Sequence, residues 1–90
     1  MNAIRKSELL SKAVALGEIV VNGAYTKPKT YGVYQLAGKD KSGRTYRYGN
    51  HPVRMNELVR DYGKVELVAL FLDRRLAIEL SAIENAVSNN

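Results

Sequence analysis

Tyrosines and basic residues are concentrated in one part of the chain. Five of the six tyrosines lie between Tyr25 and Tyr48. Six basic residues are interleaved with them, namely Lys27, Lys29, Lys39, Lys41, Arg44 and Arg47. Aromatic rings stack on nucleic-acid bases, contributing about 1–3 kcal/mol per base, and basic groups bind phosphates. The segment therefore predicts a surface that contacts DNA or RNA. The alternative is that the tyrosines only favour strands and the lysines only keep a turn soluble.

The charge distribution favours the same partner. The chain carries 14 Lys and Arg against 9 Asp and Glu, a net charge of +5. Residues 1–50 contain nine basic and three acidic residues, whereas residues 51–90 contain five and six. A positive surface attracts phosphates through counterion release. The first half of the chain is thus the half expected to contact nucleic acid.

One histidine, His51, follows this segment directly. An imidazole is suited there to act as a general base or a phosphate ligand because it titrates near neutral pH. The alternative is a capping or surface histidine before Pro52. The chain has no cysteine and no second histidine, which excludes disulfides, thiolate metal sites and multi-histidine zinc sites. A metal would need oxygen ligands of the kind that Mg²⁺ prefers.

The elements that position these residues are predicted by periodicity and turn chemistry. Apolar residues at helical spacing predict a helix over Ser7–Leu16, with Ser7 as its N-cap and Gly17 at its end. Asn22–Gly23 then predicts a two-residue hairpin turn, in a short hairpin that ends near Pro28. Alternating β-forming residues predict a second hairpin with strands Thr30–Leu36 and Arg44–Gly49.

Two helices and one strand are predicted in the second half. Pro52 suits the first turn of a helix over Pro52–Tyr62, which Gly63 ends. The nearly continuous apolar run Val65–Leu72 predicts a strand covered on both faces, which we expect at the centre of the sheet. Asp73 is expected to cap a last helix with an apolar line at Leu76, Leu80, Ile83 and Val87.

The element order αββββαβα predicts one α+β domain over residues 1–90. We expect a small sheet of about three to four strands with a central apolar strand, flanked by three helices. With 46% hydrophobic and 26% charged residues, the composition is that of a globular protein. No apolar run approaches the roughly 20 residues that span a bilayer, and the polar N-terminus is unlike a secretory signal. We therefore expect a cytoplasmic protein without membrane contact.

The second hairpin resembles the GIY-YIG nuclease family. Gly32-Val33-Tyr34 stands where the Gly-Ile-Tyr motif would, and Tyr46-Arg47-Tyr48-Gly49 stands near the Tyr-Ile-Gly motif. A helix with Arg54, an apolar strand and a helix with Glu79 follow. The resemblance implies that Arg54 and two motif tyrosines, Tyr34 with Tyr46 or Tyr48, position a phosphate and an attacking water. It also implies that Glu79 holds Mg²⁺ or Mn²⁺, which would make the chain a metal-dependent endonuclease.

Several alternatives remain open at this stage. The second motif has one residue more than the family pattern, so it requires a bulge or a shifted register. Arg54 could pair with Glu57 at i+3, and Glu79 with Arg75 at i−4, as ordinary helix surface pairs. The sequence therefore leaves three functions: a nuclease, a non-catalytic nucleic-acid-binding domain on the same scaffold, and a regulator or inhibitor that docks on a protein partner.

Overall fold

The computed structural model describes residues 2–14, 20–21, 24–25 and 29–88. Over these residues the elements follow the predicted order αββββαβα. The helices are α1 (Asn2–Ser11), α2 (Val53–Tyr62) and α3 (Arg74–Ser88). The strands are β1 (Val20–Val21), β2 (Ala24–Tyr25), β3 (Thr30–Leu36), β4 (Tyr46–His51) and β5 (Val65–Phe71). The predicted α+β class, with a small sheet and three helices, is confirmed.

The main sheet has three antiparallel strands in the order β4-β3-β5. Strand β3 is therefore central, and the prediction that Val65–Leu72 forms the central strand is wrong. Its apolar run has another cause, because α2 and α3 both pack against β5 and cover the two faces of this edge strand. The β1 and β2 strands form a separate antiparallel pair.

The two faces of the sheet carry separate parts of the core. On the face that packs against α1 and α3, the buried residues are Leu9, Val33, Ala69, Phe71, Ala77 and Leu80. On the face that packs against α2, they are Tyr34, Leu36 and Leu58. Successive side chains of a strand point to opposite faces, which is why Val33 and Tyr34 lie on different sides. Each side chain of β3 or β4 therefore faces either α2 or the layer formed by α1 and α3.

Local signals fixed several boundaries correctly. Strand β3 covers the predicted residues, and α2 follows Pro52 and ends before Gly63, whose φ of 85° is the left-handed conformation that glycine adopts readily. Asp73 caps α3 as predicted, since its Oδ1 accepts the Arg75 N–H at 2.9 Å. Strand β4 lies two residues further along the chain than the predicted Arg44–Gly49.

The first helix is placed differently from the prediction. It covers Asn2–Ser11 rather than Ser7–Leu16, so Ser7 lies inside it. Beyond the end of the helix, the Val14 N–H donates to the Leu70 carbonyl of β5 at 2.8 Å. Gly17 and the Asn22–Gly23 turn lie outside the described residues. The pairing of Val21 with Ala24 nevertheless leaves two residues between β1 and β2, as the hairpin prediction requires.

In α3 the buried stripe is rotated from the predicted apolar line. Leu80 is buried, but the other fully covered positions are Ala77, Ser81 and Glu84. Val87 is 58% exposed, so its expected place on the buried line is wrong. The rotation brings two polar side chains toward the sheet, where neighbouring groups must satisfy them.

Candidate functional site

The predicted site residues divide between the two faces of the sheet. Tyr34 packs with the α2 layer, whereas Tyr46 and Tyr48 pack with the α1 and α3 layer. The β3–β4 register is regular and pairs Tyr34 with Arg47. The bulge considered for the second motif is thus not present in this pairing, and neither Tyr46 nor Tyr48 shares a face with Tyr34.

Three of the predicted residues do come together on the α2 face. The Tyr34 hydroxyl lies 2.9 Å from His51 Nδ1, and the two rings are stacked with centroids 5.9 Å apart. Arg54, from the first turn of α2, lies close enough to Tyr34 to act on its pKa. Tyr34 itself is fully buried, whereas His51 and Arg54 are partly exposed. Any ligand on this face would therefore meet His51 and Arg54, with Tyr34 behind them.

Two glycines make room for this arrangement. Gly32 and Gly49 are paired across β3 and β4. A Cβ atom at Gly32 would overlap the ring of Tyr34, and a Cβ at Gly49 would lie 2.6 Å from Arg54 Cγ. Both positions therefore require glycine for space rather than for backbone conformation. The sequence shows a glycine in each strand of the hairpin. Only the strand register shows that these glycines leave space for Tyr34 and Arg54.

Burial sets the protonation of the Tyr34 and His51 pair. Desolvation raises the pKa of Tyr34 to about 12, with the nearby Arg54 guanidinium lowering it in part. Desolvation lowers the pKa of His51 from its ordinary value. At neutral pH the pair is therefore a protonated phenol next to a neutral imidazole.

Arg54 makes the helix surface pair that the sequence offered as an alternative. Its Nη1 lies 3.2 Å from Glu57 Oε1, and both side chains are about two-fifths exposed. An exposed pair of this kind contributes only about 0.3–0.5 kcal/mol. Because this ion pair is weak, Arg54 can exchange Glu57 for a phosphate. Arg54 therefore stays available to an anion.

On the α3 face, Tyr46 and Tyr48 each contact a residue of α3. The Asn85 side chain accepts from the Tyr46 N–H at 2.8 Å and donates to the Tyr46 carbonyl at 2.9 Å. Arg74 lies over the ring of Tyr48, 5.9 Å from its centroid. Asn85 was not predicted, and its only sequence signal was a polar residue next to the buried stripe of α3.

A second unpredicted polar contact lies beside Tyr46. Glu84 is buried in α3 and pairs with Lys6 of α1, whose Nζ lies 2.8 Å from Glu84 Oε1. This bond raises the pKa of Lys6. Burial raises the pKa of Tyr46, and the adjacent Glu84 carboxylate adds to the effect. The group joins α1, α3 and β4 in one polar contact between the buried Glu84 and a partly exposed Lys6.

Glu79, the predicted metal ligand, is bound by an arginine instead. The Arg5 guanidinium donates to both Glu79 oxygens, from Nε to Oε2 and from Nη2 to Oε1 at 2.8 Å. This pairing lowers the pKa of Glu79. The alternative pair with Arg75 is wrong, since Arg75 binds Asp73 at 3.0 Å.

The residues around Glu79 do not fit a Mg²⁺ or Mn²⁺ site. Both of its carboxylate oxygens are used by Arg5, and hard divalent cations need several oxygen ligands. Within the part of the chain that the structure describes, no group of three His, Cys, Asp or Glu side chains is close enough to hold an ion. Glu79 also lies in the α3 layer, across the sheet from Tyr34 and Arg54.

The β3–β4 loop is folded around one carboxylate. Asp40 Oδ1 accepts the N–H groups of Ser42 and Arg44, each at 2.9 Å, and Oδ2 lies 2.9 Å from Arg47 Nη1. Hydrogen bonds from Ser42 and the Arg44 backbone, with the Arg47 charge, outweigh desolvation and lower the Asp40 pKa to about 2. Two of the six predicted phosphate contacts, Arg44 and Arg47, therefore hold this loop together.

The remaining predicted phosphate contacts are lysines. Lys39 and Lys41 are exposed on the β3–β4 loop, and Lys29 is exposed immediately before β3. Lys27 lies outside the described residues. Strand β3, seven residues long, separates Lys29 from the loop lysines by about 20 Å, at about 3.3 Å per residue. The exposed lysines thus lie at both ends of the hairpin.

No described helix is long and apolar enough to cross a membrane. Comparison with known proteins gives no match for this chain among family models, curated proteins or solved structures.

Proposed function

We propose that the chain binds DNA or RNA through phosphate contacts made by the β3–β4 hairpin and the start of α2. The supporting observation is the charge of this surface. Residues 29–56 include six basic residues and one acidic residue, a net charge of +5. The acidic residue is Asp40, whose side chain is only 3% exposed. With its one carboxylate covered, this segment presents mainly basic groups to solvent, which favours a polyanion.

The hairpin tyrosines do not contribute a stacking surface to this proposal. Tyr34 is fully buried, and Tyr31, Tyr46 and Tyr48 pack against the core on the α3 face. Binding would therefore depend on phosphates and vary little with base sequence. We expect a steep loss of affinity with added salt, since each phosphate contact releases counterions.

A salt series on labelled 20-nucleotide DNA and RNA, followed by fluorescence anisotropy, tests the proposal. For a duplex, each neutralised phosphate contributes about −0.9 to the slope of log K against log salt concentration. The single variants Lys39→Gln and Lys41→Gln should each weaken binding and reduce the slope by about 1. Lys12→Gln removes an exposed lysine beyond the end of α1 and is the matched control. A flat salt response, or equal effects of all three variants, would refute phosphate binding by the hairpin.

Phosphodiester cleavage is a second candidate, in line with the GIY-YIG resemblance. It is favoured by the contact between Tyr34 and His51 with Arg54 nearby, and by a hairpin, helix, strand and helix in the order that the resemblance implies. The engagement of Glu79 by Arg5 counts against it. We therefore favour nucleic-acid binding over phosphodiester cleavage as the function of the chain.

Supercoiled, linear and single-stranded substrates, incubated with Mg²⁺ or Mn²⁺, test cleavage directly. Cleavage that is lost in Arg54→Ala and kept in the control variant Lys12→Gln would establish the nuclease and overturn the order given above. Substrates left intact at protein concentrations that saturate binding would leave the non-catalytic function. A protein that captures one stoichiometric protein partner and binds no nucleic acid would instead be a docking regulator.

A further inference from the structure

The Tyr34 and His51 pair is built into the fold rather than formed by chance at the surface. Thr30 and His51 are register partners at the open end of the hairpin. Tyr34 is fully buried, so its ring cannot turn away into solvent. Gly32 provides the space that the Tyr34 ring occupies. The 2.9 Å contact between the Tyr34 hydroxyl and His51 Nδ1 is thus held by the sheet itself.

The chemistry of the two groups decides which one donates. The hydroxyl of Tyr34 makes one hydrogen bond within the described residues, to His51 Nδ1. A phenol is a better donor than acceptor, and a buried hydroxyl proton without an acceptor is costly. His51 contacts the neutral phenol of Tyr34 from β3, and the cationic Arg54 from α2 lies near the same phenol. Neither favours an additional proton on the imidazole.

We propose that Tyr34 holds His51 in the tautomer that carries its proton on Nε2, so that His51 offers an N–H donor to an anionic oxygen. Its Nδ1 lone pair accepts the Tyr34 hydroxyl, which leaves no basic nitrogen directed at a ligand. Tyr34 is then a positioning residue, and His51 is a hydrogen-bond donor rather than a general base. The proposed donor is a single atom, the protonated Nε2 of His51, and it does not require a metal.

Arg54 supplies the charge that complements this donor. Its side chain crosses Gly49, which lies two residues before His51 and on the same face of β4. A phosphate oxygen above this face would meet a neutral N–H from His51 and a guanidinium from Arg54. Hydrogen bonds to ionised acceptors are about twice as strong as neutral ones. The identity of the anion as phosphate rests on the proposed function, whereas the tautomer does not.

Nitrogen-15 NMR of the free protein tests the tautomer without any ligand. His51 is the sole histidine, so its two ring nitrogens need no assignment by mutation. Long-range proton–nitrogen correlation at neutral pH should show a protonated Nε2 and an unprotonated Nδ1. Tyr34→Phe keeps the buried ring and should shift the populations toward a mixture. A protonated Nδ1 in the wild-type protein, or an unchanged spectrum in Tyr34→Phe, would overturn the proposal.

Binding of a labelled DNA duplex tests the donor role. His51→Ala should weaken binding about tenfold, the effect of losing one hydrogen bond to a charged group. His51→Gln retains an N–H donor and should recover most of the affinity. Tyr62→Phe, on exposed helix surface, is the control. Wild-type binding that His51→Ala leaves unchanged would overturn the donor role alone. A wild-type protein that binds no DNA or RNA would overturn the proposed function, while the NMR result would still decide the tautomer.

Discussion

Replacing Asp40 with asparagine should destabilise the protein by an amount that depends on pH. The Asp40 carboxylate accepts backbone N–H groups from Ser42 and Arg44 and is paired with Arg47. An amide of the same shape can place only one oxygen among these donors. Its NH₂ group would face an N–H or a guanidinium. The substitution thus tests whether one carboxylate organises the β3–β4 loop.

The pKa of Asp40 gives the magnitude. Folding lowers it from 3.8 to about 2. At about 1.4 kcal/mol per pKa unit, this corresponds to roughly 2 kcal/mol of unfolding free energy. Because the pKa is depressed in the folded state, this contribution is fully present above about pH 4. It is lost as the pH falls through the window from about 4 to 2, where the folded carboxylate also becomes protonated.

Urea denaturation at a series of pH values measures the effect. At neutral pH, Asp40→Asn should unfold with about 2 kcal/mol less free energy than the wild-type protein and with an unchanged m-value. The difference should decrease as the pH approaches 2. Asp61→Asn is the matched control, because Asp61 is 55% exposed and, among the described residues, pairs only with the neighbouring Arg60. It should change the unfolding free energy by less than about 0.5 kcal/mol.

Two results would refute this reasoning. An Asp40→Asn penalty that stays constant from neutral pH to pH 2 would mean that the carboxylate charge is not the source of the stability. A penalty equal to that of Asp61→Asn would mean that the loop is not organised by Asp40. Either result would also weaken the case for a loop that presents Lys39 and Lys41 in fixed positions.

Two further substitutions test contacts that support the site. Gly49→Ala should cost about 1–3 kcal/mol in urea denaturation, because its Cβ would overlap the Arg54 stem. Gly38→Ala would meet no atom of the described residues and should be nearly neutral. Equal effects of the two would exclude steric overlap as the cause. Asn85→Ala should cost about 1–3 kcal/mol and speed hydrogen exchange of the Tyr46 amide, which loses its acceptor. An unchanged exchange rate would show that Asn85 does not hold this strand edge.

Local sequence signals were sufficient for most of the elements. Strand β3 was predicted by its alternating β-forming residues, and Gly63 and Asp73 mark helix boundaries because each satisfies a local backbone requirement. These signals act within a few residues and do not depend on the rest of the chain. They failed for α1, which ends at Ser11, three residues before Val14 bonds to Leu70 of β5.

Local sequence signals could not show which tyrosines lie on which face of the sheet. Nine residues separate β3 from β4, and a loop of that length does not fix the register as a two-residue turn does. A shift of one residue would have placed Tyr46 or Tyr48 opposite Tyr34, in place of Arg47. Tyr46 and Tyr48 are two residues apart in one strand and therefore share a face, but the sequence did not indicate which face.

The ion-pair partner of Glu79 also depends on tertiary packing. The sequence offered Arg75 as a partner because residues four apart are neighbours on a helix. The actual partner is Arg5, which is 74 positions away and reaches Glu79 only because α1 packs on α3. Arg75 was drawn instead to Asp73 at the start of the same helix. Helix spacing restricts which pairs are feasible, and packing between helices selects among them.

The separation of the two faces bears directly on cleavage. Hydrolysis of one phosphodiester requires the groups that bind it and the ion that activates water to reach the same phosphate, within hydrogen-bond distance. Arg54 and His51 lie in the α2 layer, whereas Glu79 lies in the α3 layer behind the sheet. The whole sheet lies between these two helix layers, so one phosphate on the α2 face cannot also contact an ion on Glu79. Cleavage at this site would therefore need an ion bound by residues other than Glu79, while binding needs only the positive surface of the hairpin.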